Sequence, residues 1–321
     1  MLNVPVPHPA IHRGPYSLSM QTTPVSSPAP TDAIAPLIPL ASIPVFFTPR
    51  MVANAKSFSP SPMKPGKVVN SWLELDVPAQ RIEPGPVTRD DFVRVHAPNF
   101  VDAIFSLELE NGCGTRDSAF AESLRWTSGA MLAAAQRAMA NGQVAVAPVS
   151  GFHHAGFNFC GGFCTFNGLM VAAGALFHSG RARRVGILDF DQHWGDGTQH
   201  IMERLGWQSQ VVHYSPVRDF SRRETARAFL LAIPKLMERF ATCDVVLYQA
   251  GADPHVDDPL GGWLTTDQLF ERDQAVFETL RAMRIPIAWN LAGGYQEPLR
   301  RVLDIHDNTM RACGTVFLRR K

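Results

Sequence analysis

The stretch RVGILDFDQHWGDG, residues 184–197, decides how the chain is read. Its first half, residues 184–190, is a short apolar run and reads as a buried strand. The polar residues begin where that strand ends. Alternate side chains of an extended segment share a face, so Asp189, Asp191 and His193 can point together as the strand runs out into a loop. A carboxylate and an imidazole at that spacing suit a divalent metal that takes oxygen and nitrogen donors. Trp194-Gly195-Asp196-Gly197 follows, and its glycines permit a tight turn that brings Asp196 back toward the same place. Taken alone, the stretch also reads as a cap and turn at a strand end.

Working outward, the pattern repeats. Strands are expected at residues 43–47, 144–148, 210–213, 244–249 and 286–291. Helices are expected at residues 71–75, 88–107 (interrupted at Pro98), 119–141, 168–180, 223–240 and 266–283. Short apolar strands alternating with helices predict a single-domain, three-layer α/β/α fold around a mainly parallel sheet. No repeat or linker divides residues 43–321. Residues 1–42 differ: Pro5, Pro7, Pro9, Pro15, Pro24, Pro28, Pro30, Pro36 and Pro39 remove donors and fix φ, so this segment reads as a disordered leader.

In such sheets ligands sit outside the carboxyl ends of the strands. Four polar clusters fall there: His153-His154, Asp191-x-His193, Asp253 and Gly293-Gly294-Tyr295. Asp253 would complete an Asp/His/Asp set, and three protein ligands with an open position are what a catalytic zinc needs. Its plainer alternative is turn capping. Adjacent histidines need partners to fix tautomer and basicity, and Asp189 and Asp196 are unassigned carboxylates close by in sequence. A phenol such as that of Tyr295 can donate to a developing oxyanion, although Gly-Gly-Tyr is also an ordinary surface turn.

Composition narrows the classes. The chain has 321 residues, 45% of them hydrophobic, and a formal net charge of +1, so no global field favours nucleic acid or a membrane surface. No apolar run approaches the roughly 20 residues that span a bilayer. The five cysteines, Cys113, Cys160, Cys164, Cys243 and Cys313, form no C-x-x-C pair and read as free thiols of a reducing compartment. Cys160 and Cys164 read as packed thiols rather than a structural zinc site. The N-terminus carries no basic segment followed by an apolar one, so a cytoplasmic protein is expected. No feature fixes an oligomeric state.

The motifs GFHHAGFNFCGGFCTFNGLMVAA (151–173), VGILDFDQHWGDGTQ (185–199), QAGADPHVDDPLGG (249–262) and NLAGGYQ (290–296), in that order, resemble the histone deacetylase family, with its bacterial amidohydrolases and acetylpolyamine hydrolases. SFSPSPMKPGKVVNSWLE and FVRVHAPNFVDAI resemble its early segments, so the likeness spans residues 43–321. The resemblance implies an arginase–deacetylase fold and one Zn2+ on Asp191, His193 and Asp253. It implies His153 partnered by Asp189 and His154 by Asp196, with His154 as general base and acid. Tyr295 would polarise the scissile carbonyl, Gly162-Phe163 would wall the acyl-lysine channel, and Leu260 matches a variant common in class II relatives. Carbonyls around Asp189, Asp191, His193 and Val211-Val212 would match a structural K+ site. The implied reaction is hydrolysis of an N-acyl, in the first place N-acetyl, amide on a lysine, a polyamine or a related amine.

Three departures bear on substrate. The stretch between His213 and Asp253 is shorter than in relatives, which leaves Phe220 to supply the opposite channel wall and opens the site. Gly112-Cys113 stands where the family carries a rim aspartate, and Trp194 where many relatives carry a second histidine. Glu108, Glu110 and Asp117 are the acidic candidates for a polyamine-binding rim. Two other readings compete: a ureohydrolase with two manganese ions on a similar fold, and a binding protein that has kept the fold and lost catalysis.

Overall fold

The computed structural model describes residues 37–54 and 57–319, so most of the proline-rich leader expected at residues 1–42 lies outside the described residues. Paired backbone begins before the first expected strand, because the Leu40 N–H donates to Phe317 O at 2.8 Å. The strands are β1 (Ile43–Phe46), β2 (Ala79–Ile82), β3 (Val144–Ala147), β4 (Val185–Asp189), β5 (Val211–Tyr214), β6 (Val245–Gly251) and β7 (Ile287–Ala292). They form one seven-stranded sheet in the order β2-β1-β3-β7-β6-β4-β5, parallel at every pairing. Parallel neighbours cannot be joined by hairpins and need crossovers. These are supplied by α1 (Lys64–Trp72), α2 (Arg89–Val93), α3 (Pro98–Phe105), α4 (Ser118–Asn141), α5 (Gly168–His178), α6 (Asp196–Leu205), α7 (Ala226–Met237) and α8 (Thr266–Ala282), and α9 (Arg300–Phe317) follows the last strand.

The helices lie in two groups. In one, α4 packs on β1, β3 and β7 and against α5. Its sheet-facing residues are small: Ala130, Ala134, Ala135 and Ala138 are fully buried, which lets a long helix lie close to the strands. Asp117 caps its start, accepting from Phe120 N at 2.6 Å, and Gly142 ends it at φ 65°. In the other group α8 packs on α9, with α7 and α1 alongside. Phe277 of α8 sets its ring edge against Tyr248 of β6 and Trp289 of β7.

Several expectations need correction. The helix expected at residues 71–75 is α1, which starts earlier because Pro65 sits in its first turn, where a missing N–H costs nothing. The break expected at Pro98 is present: the segment 88–107 is two helices, with Ala97 extended and Pro98 opening the second. The helix at 223–240 keeps α-geometry only over α7, with single 3-10 turns at Arg223–Thr225 and Glu238–Phe240. β2, α6 and α9 were not expected.

A parallel sheet opens all its carboxyl ends on one edge. β3, β7, β6 and β4 are consecutive neighbours, so the four polar clusters meet there. Among the described residues no helix is long and apolar enough to cross a membrane.

Candidate metal centre and active site

Asp191 and His193 lie just past β4, and Asp253 just past β6. Donor atoms of the three all fall within 4.8 Å of one another. The His193 Nδ1 is 3.1 Å from Asp191 Oδ1 and 3.1 Å from Asp253 Oδ2. Both carboxylates are buried, while His193 is half-buried. Burial, and then the Asp191 charge, raises Asp253 to about 7. Burial pushes Asp191 the same way, but the His153 charge and the His193 hydrogen bond outweigh it and hold Asp191 below the ordinary range. Hydrogen bonds to Asp191 and Asp253 raise His193 to about 10 against the opposing effect of burial. Two buried carboxylates that hold a proton on the imidazole between them form a pocket for positive charge, and a dication suits that donor set.

The close approach of β7 completes this pocket. Gly293 has φ 47°, and a Cβ there would lie 2.1 Å from the Asp253 carboxyl carbon. Only glycine lets the backbone pass beside that carboxylate. The buried Lys64 of α1 donates to the Gly293 carbonyl. Burial lowers its pKa to about 8, with Asp253, Asp191 and Asp258 opposing.

The histidine pair occupies the neighbouring edge, on the loop after β3. His153 Nδ1 is 2.7 Å from Asp189 Oδ2, and His154 Nδ1 is 2.5 Å from Asp196 Oδ1. Asp196 stands in the first turn of α6, so the glycines around it open a helix rather than a free turn. Asp189 is fixed on its other side: Asn290 donates to Gln249 at 3.5 Å, and Gln249 donates to Asp189 Oδ1 at 3.0 Å. This buried row runs across the register of β7, β6 and β4. Burial disfavours a charged His153, yet Asp189 and Asp191 overcome it and lift the ring to about 9. Burial and the His153 charge lower His154, with Asp196 pulling the other way. The His154 and His193 ring centres are 5.9 Å apart.

Tyr295 reaches the same edge from the turn after β7. Its N–H donates to Asp258 Oδ2 at 2.8 Å. Burial, then Asp191 and Asp253, raises the phenol above its ordinary value, which keeps it a donor. Its ring lies 5.7 Å from Phe163 and stacks on Phe58 at 5.8 Å. Gly162 gives way to the His154 ring, since a Cβ there would come within 2.2 Å of it. Leu260 is more than a third exposed, and its N–H donates to Asp258 Oδ1 at 3.0 Å.

Phe220 is not part of this group. Its ring packs on Phe229 at 5.5 Å, and among the described residues it pairs with neither Phe163 nor Tyr295. The Pro216–Arg218 turn sets it against the core. Residues that sequence reasoning left without a role are Phe58, Lys64, Gln249, Asp258 and Asn290. The second aspartate of Asp257-Asp258 was the available signal for one of them.

The sequence matches the histone deacetylase domain family over residues 61–220 and 211–310, and the chain belongs to that family. It is thereby a hydrolytic deacetylase, with an acetylated amine as its class of substrate. It is 26% identical over 303 residues to an uncharacterized protein of Picosynechococcus sp., covering 85% of this chain and 99% of that one. A stretch of 52 residues is 52% identical to acetylpolyamine amidohydrolase 1 of Pseudomonas aeruginosa, 16% of this chain and 15% of that one. In fold it is similar to the crystal structure of the HDA15 HD domain, with a TM-score of 0.69 at 21% identity over 84% of this chain and 90% of that one.

Proposed function

We propose that the chain is a zinc-dependent deacetylase whose ion is held by Asp191, His193 and Asp253, and that it hydrolyses the N-acetyl amide of a lysine, a polyamine or a related amine. The observation that carries this is the convergence of a buried Asp/His/Asp donor set with two carboxylate-held histidines and a phenol at the ends of four adjacent strands. Bound there, zinc supplies Lewis acidity toward the amide carbonyl and lowers the pKa of water toward about 7.

The side chains divide the remaining work. Asp196 holds His154 through Nδ1, which leaves Nε2 to take a proton from the attacking water and return it to the leaving amine. His153 is tied to Asp189, and its positive charge lowers the basicity of His154. The Tyr295 O–H donates to the carbonyl oxygen as charge builds on it. Phe163 and Phe58 shield one flank of the entry with apolar rings. Phe220 packs on Phe229 rather than opposite Phe163, which favours amines that need no second aromatic wall. K+ at the carbonyls around Asp189, Asp191, His193 and Val211-Val212 remains part of the proposal by family likeness. The cytoplasmic assignment likewise rests on the sequence.

The donor set favours one ion over two. Asp189 is committed to His153 and Gln249, Asp196 to His154, and Asp258 to Tyr295 and Leu260. The decisive experiment couples metal analysis to kinetics on an acetyl-lysine peptide, acetylputrescine and longer N-acyl analogues. One zinc per chain, acetate release, and loss of turnover in His154→Ala with zinc retained are expected. Two metals per chain, or an unchanged rate in His154→Ala, would sink the reading.

A further inference from the structure

The side chain of Arg272 is buried in the middle of α8. Its Nη1 donates to Gly251 O at 2.8 Å and to Phe190 O at 3.2 Å. Phe190 stands between Asp189 and Asp191, and Gly251 two residues before Asp253. The two carbonyls belong to the strand ends that present both carboxylates of the metal site. The ladder between these strands closes at Asp189 and Gln249, followed by a bond from Phe190 N to Gln249 O at 3.0 Å. Beyond that point one guanidinium nitrogen bridges the two backbones, alongside the bond from Gln192 N to Asp253 Oδ1 at 3.2 Å.

The guanidinium is itself held. Its Nε donates to Asp273 Oδ1 at 2.8 Å. The same carboxylate accepts from the Tyr248 hydroxyl, and from Thr309 Oγ1 at 2.6 Å. Strand β6 and helices α8 and α9 thus converge on one buried ion pair. Such a pair is a poor way to gain stability, because apolar residues of similar volume usually do as well or better. An apolar residue at position 272 would, however, deprive both carbonyls of this donor.

We propose that Arg272, oriented by Asp273, is a positioning residue for the metal site: it fixes the separation of the strand ends that carry Asp191 and Asp253. This deepens the zinc reading above and rests on it. Residues that orient ligands typically change metal affinity about 10–100-fold when removed.

The test measures Zn2+ affinity by chelator competition, and the visible absorption of the Co2+-loaded protein, in wild type, Arg272→Met, Arg272→Lys and Phe277→Leu. Phe277→Leu loosens the same helix without touching the ligand loops. Arg272→Met is expected to bind Zn2+ about 10–100-fold more weakly with altered Co2+ bands. Arg272→Lys is expected to fall between it and wild type. Wild-type affinity and bands in Arg272→Met, or an equal loss in Phe277→Leu, overturn the proposal. Should Arg272→Met fail to fold, Asp273→Asn and Thr309→Val loosen the clamp from behind, and wild-type metal binding in both overturns it. Wild-type protein that takes up no Zn2+, or keeps full affinity after Asp253→Asn, defeats the zinc reading instead.

Discussion

The Tyr295 backbone N–H donates to Asp258 Oδ2, while Oδ1 of the same carboxylate accepts from Leu260 N. One buried side chain therefore ties the turn that presents the phenol to the loop that follows Asp253. Asp258→Asn keeps one acceptor and loses the other. Its kcat is expected to fall about 10–100-fold, the range for residues that orient a site, with zinc content unchanged. Steady-state kinetics beside metal analysis decides it, and loss of zinc in step with activity would count against this role.

Tyr295→Phe removes a donor and little volume. Deleting one donor to a developing oxyanion costs roughly 100–1000-fold in rate, so kcat should drop by that factor. The apolar stack with Phe58 and Phe163 is retained. The check is kcat and KM measured separately, and a change confined to KM would place the phenol in ground-state binding.

Gly293→Ala puts a methyl group against the Asp253 carboxylate at a backbone angle suited to glycine. Overpacking of this kind costs about 1–3 kcal/mol, and here the strain falls on a proposed ligand. Thermal unfolding should shift downward and zinc affinity should weaken together. Wild-type affinity at a lowered melting temperature would show that the strain is absorbed elsewhere.

The pH dependence of stability has a clear contributor in His96. Its Nε2 accepts from Asn167 N at 3.0 Å, so the proton sits on Nδ1, 2.8 Å from Gly156 O. Burial lowers this ring from 6.5 to about 4. Between those values the unfolded chain binds the proton and the folded chain does not, so folding stability rises with pH there and is lost on acidification from 6.5 to about 4. The full effect is about 3 kcal/mol at 1.36 kcal/mol per unit. Chemical denaturation at a series of pH values should show a flatter slope over this window in His96→Gln. An unchanged slope would exclude His96 as the source.

Most of the sheet was legible because β3, β4, β6 and β7 are buried along their whole length, and a near-continuous apolar run, broken here by Asp189, Gln249 and Asn290, is the mark of such strands. β2 escaped because it is an edge strand, Ala-Gln-Arg-Ile, exposed over most of its length. α9 escaped because its buried face includes His306, Asp307 and Thr309, which spoil the apolar stripe. α6 was hidden by the glycines beside Asp196. The site motifs were legible because their chemistry is local. Lys64, Phe58 and Asp258 were not, since each acts on a residue remote in the chain. Arg272-Asp273 left a trace: charges set among Leu269, Val276, Phe277 and Leu280 on one helix face announce a buried pair.

Asp191 and Asp253 follow neighbouring strands, yet α6, β5 and α7 intervene between them in the chain. The donor set exists only once that crossover has closed, so the unfolded polypeptide offers the proposed ion no equivalent seat. Ligation then acts as a thermodynamic latch on the native state. With free zinc at a hundred times its dissociation constant, the latch adds about 2.7 kcal/mol. On the proposed zinc reading, heat tolerance becomes a function of metal supply, and a chelator is expected to lower the melting point of this protein in step with its turnover.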